Sequence, residues 1–167
     1  MKNLLKYAKI FVLPNKEKNM KLIATNKKAY FDYFIISTYE AGIVLLGSEV
    51  KSIRLGHTNL KDSFVAFKNG EAYIKNMHIG AYAESTIDKI DEKRNRKLLL
   101  NKKEIEKIVS KTQEKGFTCV PLKIYFKDNL VKLEIGIAKG KHLYDKKKAL
   151  AEKDIARETE RELKKFR

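Results

Sequence analysis

Residues 120–138 read VPLKIYFKDNLVKLEIGIA. Leu122, Ile124 and Phe126 alternate with Lys123, Tyr125 and Lys127. Beyond Asp128-Asn129, Val131, Leu133, Ile135 and Ile137 alternate with Lys132, Glu134 and Gly136. A period of two sends successive side chains to opposite faces of a strand, so this stretch predicts a hairpin over Val120–Lys127 and Leu130–Ala138. Apolar residues on one face and mostly charged ones on the other mark an antiparallel sheet buried on one side only. A second hairpin is predicted upstream, where Phe64–Lys68 and Glu71–Ile79 flank Asn69-Gly70. Both central residues of a type I′ turn need positive φ, and Asn-Gly is the pair that supplies it.

Strand chemistry begins near Ala29. Tyr33, Phe34, Ile35 and Ile36 lead through an expected bend at Glu40-Ala41-Gly42 into Ile43–Leu46. Gly47-Ser48 then opens a short helix, with Ser48 as candidate N-cap, Glu49 in the first turn and Gly56 as the stop. Between the hairpins, Gly80–Lys97 is a long polar stretch, which in a small domain points to mobility or function. A second helix follows: Asn101 and Glu104 have capping-box spacing, Ile105, Ile108, Val109 and Thr112 share a face, and Gly116 ends it. About six short strands with two or three helices predict a mainly β fold, an OB-like antiparallel barrel.

The chain has 167 residues, with 37 Lys+Arg against 21 Asp+Glu and a formal net charge of +16. Such a field suits a polyanion. The charge divides the chain into a basic leader over residues 1–20, a globular barrel over 21–138 and a basic tail over 139–167. The leader lacks the apolar core and cleavage site of a secretory signal. Helical spacing of Leu4, Leu5, Ala8 and Phe11 allows a membrane-surface helix, but a disordered leader, or a start codon upstream of Met20, is the expectation. The tail is rich in helix formers, yet Leu150, Ile155, Leu163 and Phe166 make too narrow a stripe to bury. It is expected to be disordered alone and helical on a polyanion, with a solvated surface helix as the alternative. No apolar run is long enough to span a membrane.

Catalytic chemistry finds little to draw on. Asp32, Glu40, Glu49 and Asp62 show no spacing that pairs two of them with a histidine base, and His57, His78 and His142 stand singly. Cys119, the one cysteine, reads as core, and no glycine-rich phosphate loop occurs. Barrels of this class bind RNA through charged grooves and aromatic platforms. Tyr30, Tyr82 and Tyr144 are candidate stacking residues, and the absence of a recognition helix favours RNA read by shape over a DNA sequence.

Several blocks resemble one family in order and spacing. They are Ile23–Ala29 with Asp32–Ile35, Tyr39–Leu45, Gly47–Ser52, Asn59–Ser63, Asn76–Ile79, Arg96–Asn101, Ala138–Lys141 and Tyr144–Lys147. Together they are similar to the SsrA-binding protein (small protein B, SmpB) family over residues 21–150. The resemblance implies an OB barrel that binds the tRNA-like domain of tmRNA. It further implies that the protein accompanies this RNA to the A site of a stalled ribosome, standing in for the missing anticodon arm at the decoding centre. The tail would enter the empty mRNA channel. The family's tmRNA contacts map onto Asn26, Glu40, Leu99 and Asn101. Its ribosome-interacting tail motif maps onto Gly140, Lys141, Tyr144, Asp145, Lys146 and Lys147. A monomer in a 1:1 RNA complex is expected in the cytoplasm, with no cofactor, no metal, no membrane partner and no enzymatic activity. Phe31, His142 and Lys147 depart from the family pattern, and Lys147 offers charge without the planar fork of Arg. Two alternatives stand beside this reading. One is an OB-type ribosome-assembly or initiation-factor-like protein; the other is an RNA hydrolase using Asp62 and a metal.

Overall fold

In chain order the elements are β1 (Met20–Thr25), α1 (Lys27–Asp32), β2 (Tyr33–Ile43), α2 (Gly47–Arg54), β3 (Thr58–Asn59), β4 (Phe64–Lys68), β5 (Glu71–Lys75), β6 (His78–Ile79), β7 (Arg96–Leu99), α3 (Lys102–Thr112), β8 (Phe117–Lys127) and β9 (Leu130–Gly140). They come from a computed structural model that describes residues 20–83, 91–142, 144, 145, 147, 158, 159, 161, 162 and 164. The leader expectation and the candidate Lys146 lie outside the described residues. Seven strands form one antiparallel sheet in the order β1-β8-β9-β2-β7-β5-β4, and β3 pairs with β6 separately. The sheet curls until β4 lies against β8, but no ladder joins them among the described residues. The OB-like antiparallel architecture is therefore present as an open barrel, with nine described strands where about six were expected.

Both predicted hairpins form. Asn69 and Gly70 adopt φ 52° and 73° between β4 and β5, and Asp128 and Asn129 adopt 49° and 65° between β8 and β9. The inward face of β9 carries Leu133, Ile135 and Ile137 into a core shared with Ile53, Ile74, Met77, Leu98, Ile108 and Ile124. On β8 the alternation breaks. A bulge between Pro121 and Lys123 shifts the register, so Leu122 leaves the expected company of Ile124 and Phe126. It joins Ala29, Val120 and Ala138 in a small second cluster under α1. Proline cannot donate to a ladder, which makes a bulge its natural place in a strand.

Further expectations are corrected. Glu40-Ala41-Gly42 is no bend: β2 runs straight through it, paired to β9 from Tyr33 to Gly42, with Ala41 fully buried. Strand chemistry does not begin near Ala29, which lies in the short helix α1, unforeseen in the sequence. The N-cap of α2 is Leu46 rather than Ser48, and the Glu49 carboxylate accepts the Leu46 N–H at 2.8 Å. The second strand of the first hairpin ends at Lys75, because Asn76 turns at φ 58° and sends His78–Ile79 to pair with β3 instead. The helix after Asn101 starts as predicted, with Glu104 accepting the Asn101 N–H at 2.9 Å, but it ends at Thr112, short of the expected stop at Gly116.

Candidate RNA interface

β7 pairs with β2 at Gly42↔Leu99 and Ile43↔Leu98 and ends at Leu99, where the chain leaves the sheet for α3 while β2 continues beside β9. A cleft of about 500 Å³ lies at that departure. Glu40 and Gly42 line it from β2, Leu99 from the end of β7, Asn101 and Lys102 from the start of α3, and Lys132 from β9. Gly42 permits the closeness at its floor, since a Cβ there would stand 3.2 Å from Leu99 Cβ. Leu99 is 55 % exposed at the rim of this cleft. Asn101 is exposed beside it. Three of the four candidate contact residues, Glu40, Leu99 and Asn101, thus meet in one place.

Glu40 lies directly across from Glu134 of β9, an arrangement that repels unless cations intervene. They do. The Tyr125 hydroxyl donates to Glu40 Oε2 at 2.7 Å, Lys127 Nζ donates at 2.9 Å and Lys132 Nζ lies 3.9 Å from the other oxygen. Lys123 Nζ sits 3.2 Å from Glu134. The Tyr125 hydrogen bond, with help from Lys127 and Lys132, outweighs partial burial and holds the Glu40 carboxyl below its ordinary value. An acid on a basic face therefore has a physical task here. It fixes one hydroxyl and one ammonium in a defined geometry.

Asn26 stands apart. It is 7 % exposed and caps α1, its Oδ1 accepting the Ala29 N–H at 3.1 Å. Its Nδ2 donates to Leu60 O and Pro121 O, both at 3.0 Å. The side chain ties α1 to the bulge of β8 and to the turn after β3. Neighbouring Lys28 pairs with Asp62 at 2.6 Å on the rim of a separate recess of about 280 Å³. Of the stacking candidates, Tyr30 is partly exposed on α1, Tyr82 lies under Lys51 Nζ at 5.2 Å from its ring centroid, and Tyr144 is 78 % exposed. Gly140 ends β9 opposite Tyr33, and the described tail positions from Tyr144 onward carry helical backbone.

Sequence reasoning missed Arg96. It is fully buried, and its guanidinium donates to Glu49 Oε1 at 2.8 Å, Met77 O at 2.7 Å, Glu92 O at 3.0 Å and Arg94 O at 3.1 Å. Arg94 donates to both Glu49 oxygens, at 2.9 and 2.5 Å. The end of the polar stretch is thereby pinned to α2. Its alternation with Leu98 on the inward side of β7 was the available signal. Among the described residues no cluster of three His, Cys, Asp or Glu is placed to hold a metal, and burial pushes the Cys119 thiol up to about 12.

The sequence matches the family described as SmpB protein over residues 23–165. The SsrA-binding protein of Nitratiruptor sp. is 57 % identical over 89 % of this chain and all of its own length. That of Lachnoclostridium phytofermentans is 55 % identical over 89 % of this chain and 96 % of its own, and that of Caldicellulosiruptor bescii is 52 % identical over 91 % and 96 %. A chain from the solved structure "tmRNA-SmpB: a journey to the center of the bacterial ribosome" superposes with a TM-score of 0.62 at 43 % identity, covering 76 % of this chain and 93 % of its own. On these matches, the chain belongs to the SmpB family of SsrA-binding proteins.

Proposed function

We infer that this protein binds tmRNA and works with it in trans-translation at the ribosome. The open barrel takes the tRNA-like domain in the cleft between β2, β7 and α3. The observation that carries the assignment is the meeting of Glu40, Leu99 and Asn101 on that cleft, within a chain of this family. Lys97, Lys102 and Lys132 on its walls supply phosphate contacts. Leu99 packs against an unstacked base or a ribose, and Asn101 hydrogen-bonds a base edge. Asn26 contributes by holding α1 in place rather than by touching RNA.

The barrel over 21–138 is the binding unit, and the basic tail over 139–167 reports a vacant mRNA channel once the complex reaches a stalled ribosome in the cytoplasm. Tyr144, Lys146 and Lys147 face ribosomal RNA there. The protein acts as a monomer in a 1:1 RNA complex and performs no bond chemistry itself.

The test is filter binding of the tRNA-like fragment of tmRNA against ribosomal RNA fragments of equal length. Tight binding to tmRNA alone, weakened by Leu99→Ala and by Asn101→Ala in a folded barrel, is the expected result. Equal affinity for both RNAs would point to a ribosome-assembly role instead.

A further inference from the structure

An acidic residue at position 145 is out of place in a tail whose other charges near the root are basic, if its task is to meet ribosomal phosphate. The structure gives it different work. β9 ends at Gly140, whose N–H points to Gly116 O at 3.4 Å. The next residue, Lys141, is fastened twice to the C-terminal end of α1. Its N–H donates to Asp32 O at 2.9 Å, and its Nζ donates to Tyr30 O at 3.0 Å. The same ammonium lies 5.0 Å from the centroid of the Phe34 ring. The last carbonyls of a helix have no partner within it and carry partial negative charge, so a lysine is well matched to that end.

One residue later the chain starts to coil. The His142 N–H donates to Asp145 Oδ2 at 3.2 Å, and the backbone is helical at Tyr144, Asp145 and Lys147. That is the relation of an N-cap residue to the residue three positions on, the reciprocal half of a capping box. The carboxylate also places negative charge in a first helical turn, where the dipole favours it.

We propose that Lys141 and Asp145 are positioning residues: Lys141 seats the root of the tail on the end of α1, and Asp145 starts the tail helix from that seat. The tail then leaves the barrel in one direction, already nucleated. This rests on the proposed ribosome function, and explains how a tail of marginal helicity is aimed into a channel, since nucleation is the costly step of helix formation.

The experiment uses the full chain with tmRNA in a reconstituted system that scores tagging of a peptide stalled on a message lacking a stop codon. Three chains are compared with wild type: Asp145→Ala, Asp145→Asn and the double variant Asp145→Ala/His142→Ser. Asparagine keeps an acceptor for the His142 N–H, and serine at 142 caps the helix from its own side chain. Asp145→Ala should lower tagging about fivefold, the scale of a lost cap, while tmRNA affinity stays at the wild-type value. Asp145→Asn should stay near wild type, and His142→Ser should restore tagging to the alanine variant. An Asp145→Asn loss as deep as that of Asp145→Ala, no recovery in the double variant, or no effect of Asp145→Ala would each overturn the proposal. Failure of the wild-type protein to bind tmRNA or to support tagging would instead defeat the functional reading beneath it.

Discussion

Glu49 occupies a position where burial alone would raise a carboxyl's pKa. The hydrogen bonds from Arg94, the Leu46 N–H and Arg96 overcome that desolvation and hold it below the ordinary value of 4.5. A depressed folded-state pKa contributes stability that is complete above the unfolded value and is lost as pH falls through the folded one. Acid titration followed by circular dichroism should therefore show destabilisation setting in below about pH 4.5, and Glu49→Gln should flatten that part of the profile. Arg96→Met strips Met77 O of its donor in the core and removes one of the two arginines paired with Glu49, while Glu92 O keeps the Ile79 N–H. The substitution should cost about 3 kcal/mol in urea denaturation, the scale of breaking a buried pair. This cluster was hidden in the sequence because both arginines sit in a run, Asp91–Lys97, that reads as solvated charge. Glu40 came forward as a candidate through family resemblance and not through pattern. Its Glu-Ala-Gly setting has the composition of a turn, yet β9 along most of β2 and β7 at its end hold it in a sheet. Local chemistry proposed a bend, and tertiary pairing overruled it.

At the scale of elements, what the sequence made legible is what is local. Asn69-Gly70 announced its hairpin because the turn needs positive φ at both positions, and the alternation on β9 survived intact. On β8 the same alternation misplaced Leu122, since a bulge is set by the partner strand and by Pro121 rather than by periodicity. The six-residue α1 is too short for a helical period to show, and its one sign, Asn26 three residues before Ala29, was read as an RNA contact. The face of β9 opposite the main core is tightly filled where α1 covers it. A Cβ on Gly136 would lie 2.8 Å from Leu122 Cδ1 and 3.2 Å from Ile35 Cγ2, and Leu122 is itself fully buried. Gly136→Val should therefore cost about 2 kcal/mol by overpacking. Thermal melts of the variant should show a lowered midpoint, and an unchanged one would mean that this face is slacker than its geometry states.

Over the whole molecule, a net charge of +16 has to meet phosphate. The logarithm of tmRNA affinity should fall against the logarithm of salt concentration with a slope steeper than about −3, as counterions are released. A flat plot would remove electrostatics from the account. Barrel and tail should also separate in function. A chain ending at His142, which keeps Lys141 on α1, should bind tmRNA almost as well as the intact protein and fail to support tagging, because no tail reaches the channel. The most direct measurement is to sequence the RNA that co-purifies with the intact protein from its own cells. tmRNA should be the most enriched species, with enrichment reduced when Leu99 and Asn101 are both replaced by alanine. Ribosomal RNA recovered in proportion to its abundance, with no enrichment of tmRNA, would contradict the proposed function.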